Sequence, residues 1–129
     1  MLADAAQVVA GKLYVLGGGI DIVTVRTFPA LILSLSVVIV AEMGPGDRNR
    51  DLEISLTLAD EDGKPMGVGS RGTVRVGDPS LLPAGSFSSV PLVGTFSGLR
   101  FEKPGGYVFI IEHDGKPIGR LPFRIREAS

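Results

Sequence analysis

A six-residue string occurs twice in the chain, as Asp62-Gly63-Lys64-Pro65-Met66-Gly67 and as Asp114-Gly115-Lys116-Pro117-Ile118-Gly119. Asp tolerates tight-turn backbone and bonds its own main chain, Gly supplies the positive φ, and Pro suits strand starts and edges. Each copy joins two segments of alternating apolar and polar residues, so each reads as the turn of a β-hairpin. The alternation then tests the register, because a slip of one residue moves every side chain to the opposite face. Before the first turn the even positions Leu52, Ile54, Leu56 and Leu58 are apolar and Glu53, Ser55 and Thr57 polar. A three-residue loop, Glu61-Asp62-Gly63, sets Asp60 opposite Lys64 and Leu58 opposite Met66. It keeps Met66, Val68, Val74 and Val76 inward with Arg71, Thr73 and Arg75 outward. A matching loop of His113-Asp114-Gly115 sets Glu112 opposite Lys116 and places Tyr107, Phe109, Ile111, Leu121, Phe123 and Ile125 on one core face. A strict two-residue Asp-Gly turn would put the aromatics with Arg120 and Arg124, so the bulged loop is expected in both copies.

Two such hairpins, each with one apolar face, predict two antiparallel sheets packed face to face. The fold expected is therefore all-β, an antiparallel sandwich of immunoglobulin-like or related topology with seven or eight strands. Strands are predicted at 12–16, 20–26, 31–42, 52–59, 66–76, 89–96, 107–112 and 118–125. Residues 2–9 have weak helical character or form a first strand. Gly17-Gly18-Gly19 reads as a turn between strands, and loops are expected at 43–50, 77–88 and 98–106. At 129 residues, 44% hydrophobic and 21% charged, the chain is too apolar for disorder and fits one domain spanning 1–129. Eighteen Gly and nine Pro suit a fold rich in turns. The 52-residue spacing of the repeat reflects shared turn chemistry, since the flanks of the two copies do not match.

The chemistry-bearing residues form no motif. Thirteen basic against fourteen acidic residues leave a net charge of −1, which argues against nucleic acid as a partner. With no Cys there is no disulfide, thiolate metal site or cysteine nucleophile, in keeping with a reducing cytoplasm. The first residues, Met1-Leu2-Ala3-Asp4, lack the basic opening of a signal peptide, and the longest apolar run, 31–41, is broken by Ser34 and Ser36 and too short to span a bilayer. A membrane is thus not an expected partner. Gly67-Val68-Gly69-Ser70-Arg71-Gly72 matches the dinucleotide fingerprint literally, yet it follows a hairpin turn and runs into a strand, so a glycine-rich strand bend is expected.

Asp60, Glu61 and Asp62, with Asp114 or Asp47, have the oxygen chemistry for calcium but no known spacing, and solvated turn acids are the plainer reading. His113 reads as an exposed turn residue without a serine elbow beside it. Arg120, Arg124 and Arg126, and likewise Arg71 and Arg75, should face outward and resist edge pairing. Accordingly no catalytic, cofactor-binding or metal residue is assigned, no cofactor is expected and the protein is read as not an enzyme.

What remains is apolar content on faces that should be wet. Leu31, Leu33, Leu35, Val37 and Ile39 share one parity of their strand, and Ile32, Val38 and Val40 the other. Val23 and Val25 opposite Ile20 and Ile22, Leu16 beside Tyr14, and Val108 with Ile110 repeat the tendency. Such surfaces mark protein interfaces. The expected function is contact with proteins, including self-association into a homo-oligomer, with Val38, Val40, Val23 and Val25 as its test positions. The alternative is a small-ligand or carbohydrate-binding module built on the loops 43–50 and 77–88.

Asp4-Ala5-Ala6 with Gly11-Lys12-Leu13-Tyr14-Val15-Leu16-Gly17-Gly18-Gly19 resembles the opening of an uncharacterised family of small bacterial domains. Pro104-Gly105-Gly106-Tyr107-Val108-Phe109, Asp114-Gly115 and Leu121-Pro122-Phe123 are similar to its ending. The resemblance implies a β-sandwich from a bacterium and transfers no activity and no site residue.

Overall fold

The computed structural model describes residues 1–44, 51–75 and 88–129. In these the chain forms nine strands: β1 Leu2–Val9, β2 Lys12–Ile20, β3 Ile22–Val25, β4 Ala30–Met43, β5 Asp51–Asp60, β6 Pro65–Arg75, β7 Ser88–Phe101, β8 Gly105–His113 and β9 Lys116–Glu127. They make a four-stranded sheet, β2-β1-β4-β7, and a five-stranded sheet, β3-β9-β8-β5-β6. All pairings are antiparallel except β3 with β9. The β-sandwich expected from the sequence is what forms. Its β9-β8-β5-β6 order with β4 beside β7 is the G-F-C-C′ and B-E arrangement of immunoglobulin-like sandwiches.

The alternation of β5 is realised, with Leu52, Ile54, Leu56 and Leu58 all buried. The first turn also forms as expected: Asp60 N donates to Lys64 O (3.0 Å), and Gly63 takes φ +81°. The carboxylate of Asp60 accepts from the amides of Asp62 and Lys64 at 3.0 and 2.9 Å, which ties the loop to its own side chain. Beyond it the register jumps from Ala59↔Pro65 to Thr57↔Gly69, so Leu58 does not face Met66. Two extra residues of β6 are taken up around Gly67 (φ +75°). An excess of two leaves parity intact, and Met66 and Val68 pack on the core. The side chains of Val74, Arg75 and Val76 lie outside the described residues, as do 45–50 and 76–87, where most of the two loops expected at 43–50 and 77–88 falls.

The second turn corrects the sequence reading. His113 pairs with Lys116 around a two-residue Asp114-Gly115 turn, both at positive φ (49° and 80°), rather than Glu112 with Lys116 around three residues. The face assignment nevertheless stands, because the ladder jumps from Glu112↔Pro117 to Ile111↔Gly119 and the bulged Ile118 restores the lost residue. Tyr107 then faces Phe123 and Phe109 faces Leu121. Parity alone cannot tell a three-residue loop from a two-residue turn followed by a bulge.

Gly17-Gly18-Gly19 is likewise not a turn. The first hairpin turns at Ala10-Gly11, both at positive φ, and β2 runs through the glycines to Ile20, with Gly19 as a bulge against β1. The chain crosses to the other sheet at Asp21, whose carbonyl accepts from Arg124 N at 2.9 Å. The segment 2–9 is a strand throughout.

Between the sheets lies an aromatic cluster: Phe96 and Phe101 from β7 meet Tyr107, Phe109 and Phe123 from β8 and β9, with ring centroids 4.7 to 6.2 Å apart. Leu2, Leu35, Val37, Leu56, Leu58, Leu99 and Ile125 complete this core. Near the start of β8, the hydroxyl of Tyr107 donates to Lys103 O at 2.6 Å, the tyrosine-corner bond of immunoglobulin-like domains. Burial first, then the charges of Asp60 and Glu61, raises the Tyr107 phenol above its ordinary 10.0. Replacing Tyr107 with Phe is expected to cost about 1 kcal/mol at neutral pH, the typical worth of one such bond. A folded-state pKa above the unfolded one gives stability that is complete below pH 10.0 and lost as pH rises through the raised value. Urea titrations of both proteins from pH 8 to 11 should therefore show the advantage of the native residue shrinking in alkali.

Candidate functional site

The four-stranded sheet is where the structure leaves apolar side chains uncovered. On β4 the inward parity is not constant. Ala30 and Ile32 face the core beside Phe101 and Leu99, whereas Leu35, Val37 and Ile39 do so after the ladder is interrupted at Leu33 and Gly98. Gly98 takes φ +67°, which lets β7 rotate together with β4. Leu31 and Leu33 are thereby turned outward, 61% and 76% exposed, rather than sharing the face of Leu35 and Val37 as the sequence suggested.

The β1–β2 ribbon supplies the rest. β1 pairs with β4 only at Leu2↔Val37 and Ala3↔Ser36, and residues 5–16 run on as a two-stranded ribbon. Continuing that register brings residues 5–8 level with residues 34–31. On the ribbon Leu16 lies opposite Ala5 and Tyr14 opposite Gln7, so the two share one face of it. Leu16 is 72% and Tyr14 51% exposed. Leu16 and Tyr14 on the ribbon and Leu31, Leu33 and Val40 on β4 are thus uncovered apolar side chains of one sheet. A two-stranded ribbon open on such a face is marginal by itself in water.

The sequence reading chose other positions for this surface, and the structure moves it. Val38 is buried in mid-sheet between β1 and β7, while Val23 and Val25 pack against the core; of the four test positions only Val40 is exposed. Val108 and Ile110 are half-buried on the other sheet. The missed signal was the change of parity along β4, which a fixed alternation cannot express.

The sheet edges are blunted in the ways that oppose strand addition. β2 carries positive-φ Gly17 and Gly19, β3 is four residues long, β6 carries Pro65 and the bend at Gly67, and β7 carries Pro91 and Gly98. Contact through a face is the route left open.

Of the other candidates, His113 and Asp114 come together, Nε2 lying 3.4 Å from Oδ2. His113 is not in the turn but ends β8, half-buried, with Nδ1 3.2 Å from the carbonyl of Glu53. It pairs with Ile54 on the inward side, whereas Ser55 pairs with Glu112 on the outward side, so Ser55 and His113 lie on opposite faces. Asp114 stands at the far end of β8 from Asp60, about 20 Å away at the strand rise, and Asp47 lies outside the described residues. Among the described residues no three acids or imidazoles gather as a metal site would require. Gly67 to Gly72 all belong to β6, a strand with a bend. Arg120, Arg124 and Arg126 are exposed on β9, where Arg126 Nε donates to Thr24 Oγ1 at 3.1 Å, and Arg71 on β6 pairs with Glu53 at 3.4 Å. No helix of the described residues is long and apolar enough to cross a membrane.

Residues 1–126 match the model of a family described as a family of unknown function, DUF6941. No curated protein matches the chain.

Proposed function

Since the chain belongs to that family of unknown function, which hands down no activity, we propose from its surface that it is a non-enzymatic β-sandwich acting through protein contacts. In this reading a second copy docks on the outer face of the four-stranded sheet. The observation that carries it is that Leu16, Tyr14, Leu31 and Leu33, each more than half exposed, all belong to the four-stranded sheet. Large apolar side chains left uncovered in number on one sheet mark an interaction surface. A face shared by identical chains is self-complementary under a two-fold axis, and the blunted edges direct association to faces. A cytoplasmic setting accompanies the reading, supported by the absence of Cys.

The chain has no Trp and two Tyr, of which Tyr107 is buried and Tyr14 exposed. Acrylamide or iodide quenching of tyrosine fluorescence therefore reports on Tyr14. Quenching is expected to weaken as protein concentration rises, because association covers the phenol. Quenching independent of concentration would count against docking on this face.

A further inference from the structure

We propose that the outer face of the five-stranded sheet holds a second site, for a small neutral molecule rich in hydroxyl groups, of the chemical class of sugars. A shallow cleft of about 580 Å³ opens where the first Asp-Gly turn, the β2–β3 junction, β8 and β9 meet. That size lies in the usual range of small-molecule sites. Its floor is apolar, made by Ile22, Val108 and Pro122.

Above the floor, Glu61 and Arg124 converge on Gly106. A Cβ at Gly106 would stand 3.3 Å from Glu61 Oε2 and 3.4 Å from Arg124 Nη1, and one at Gly105 would stand 3.2 Å from Glu61 Oε1. The two glycines thus keep open the space between an acceptor and a donor. Neither side chain makes an ion pair or hydrogen bond among the described residues, so the acceptor and the donor face one small gap unspent. Arg120 supplies a second guanidinium along β9, and Asp21 and Asp60 further carboxylates.

Charge complementarity selects the occupant. With the carboxylates of Asp21, Asp60 and Glu61 interspersed with the guanidiniums of Arg120 and Arg124, neither an anion nor a cation is favoured over the whole cleft. A hydroxyl both donates and accepts, and two on adjacent carbons can satisfy Glu61 and Arg124 together across the gap. The aliphatic floor suits the C–H face of a sugar ring.

Two-dimensional amide NMR of the intact chain, titrated with glucose, galactose, mannose, N-acetylglucosamine and β-linked disaccharides at tens of millimolar, tests it. At least one of these probes should shift Gly106 and Val108 saturably. Glu61→Gln and Arg124→Gln should each weaken that binding about tenfold, as loss of one charge-assisted hydrogen bond does. No shift with any probe overturns the proposal, as does displacement by inorganic phosphate, which would make the site an anion site. A coupling between the two substitutions in unfolding experiments without sugar would also overturn it, because the side chains would then be partners of each other. None of these outcomes bears on docking at the opposite sheet.

Discussion

Replacing Phe123 with Ala should lower the unfolding free energy by about 3–5 kcal/mol, the range for removing a buried aromatic ring. Phe123 is 2% exposed, and its ring lies against three others: Phe109 at 5.6 Å, nearly parallel, Tyr107 at 5.9 Å, and Phe101 at 6.2 Å, edge-on. Phe101 belongs to the four-stranded sheet and the other three to the five-stranded one. The substitution therefore removes one of the ring contacts that join the two layers, and it forfeits ring-pair energy beyond the area term. Neighbouring rings are themselves buried and held by their strands, so the cavity can collapse only in part. Against a typical total of about 5–15 kcal/mol the variant should unfold at far lower denaturant, or fail to accumulate as folded protein. Urea titration followed by far-ultraviolet circular dichroism measures the shift. A loss under about 1 kcal/mol would mean that the cluster does not carry the core.

Leu33→Asp should have the opposite profile, leaving the fold alone and disrupting assembly. Leu33 is 76% exposed, so its replacement is expected to change stability by no more than about 0.5 kcal/mol. In the docked state the same position lies against a partner's apolar face, and an unpaired carboxylate buried there costs several kcal/mol. At about 1.4 kcal/mol per tenfold, self-association should weaken by at least about a hundredfold. Leu16→Asp should behave alike. The matching control is Val40→Asp, which lies on β4 but beyond the ribbon, and a smaller effect there would place the contact at Leu16, Leu31 and Leu33. Sedimentation velocity of the three variants makes the comparison, and association unchanged by Leu33→Asp would exclude this face as the contact.

How far these features can be read from the sequence depends on what alternation encodes. Leu52, Ile54, Leu56 and Leu58 declare both a strand and its buried face, since one long period-two run admits one register. Asp62-Gly63 and Asp114-Gly115 mark their turns because few other residues accept the left-handed backbone they need. Ala10-Gly11 uses the same backbone at both positions, with Ala10 at φ 51°, but carries no such flag. The glycines at 17–19 looked like the stronger turn and instead bend a continuous strand. The two-residue second turn escaped for a different reason: the bulge at Ile118 cancels its effect on parity, and the sequence pattern records only the sum. The docking face was harder still. Leu31 and Leu33 differ from Leu35 only through a coordinated rotation of β4 and β7 at Leu33 and Gly98, a property of two strands together. The gap between Glu61 and Arg124 joins a turn to a strand more than sixty positions away in the chain, through glycines whose sole contribution is empty space.

The most direct test of docking through the outer face is the mass of the wild-type chain in solution by light scattering, followed across a concentration series. Association through Leu16, Tyr14, Leu31 and Leu33 predicts a mass that rises from the 13.5 kDa of one chain to a fixed multiple of it, most simply twofold. A mass of 13.5 kDa at every concentration would contradict the account and leave the apolar face without a second copy to cover it.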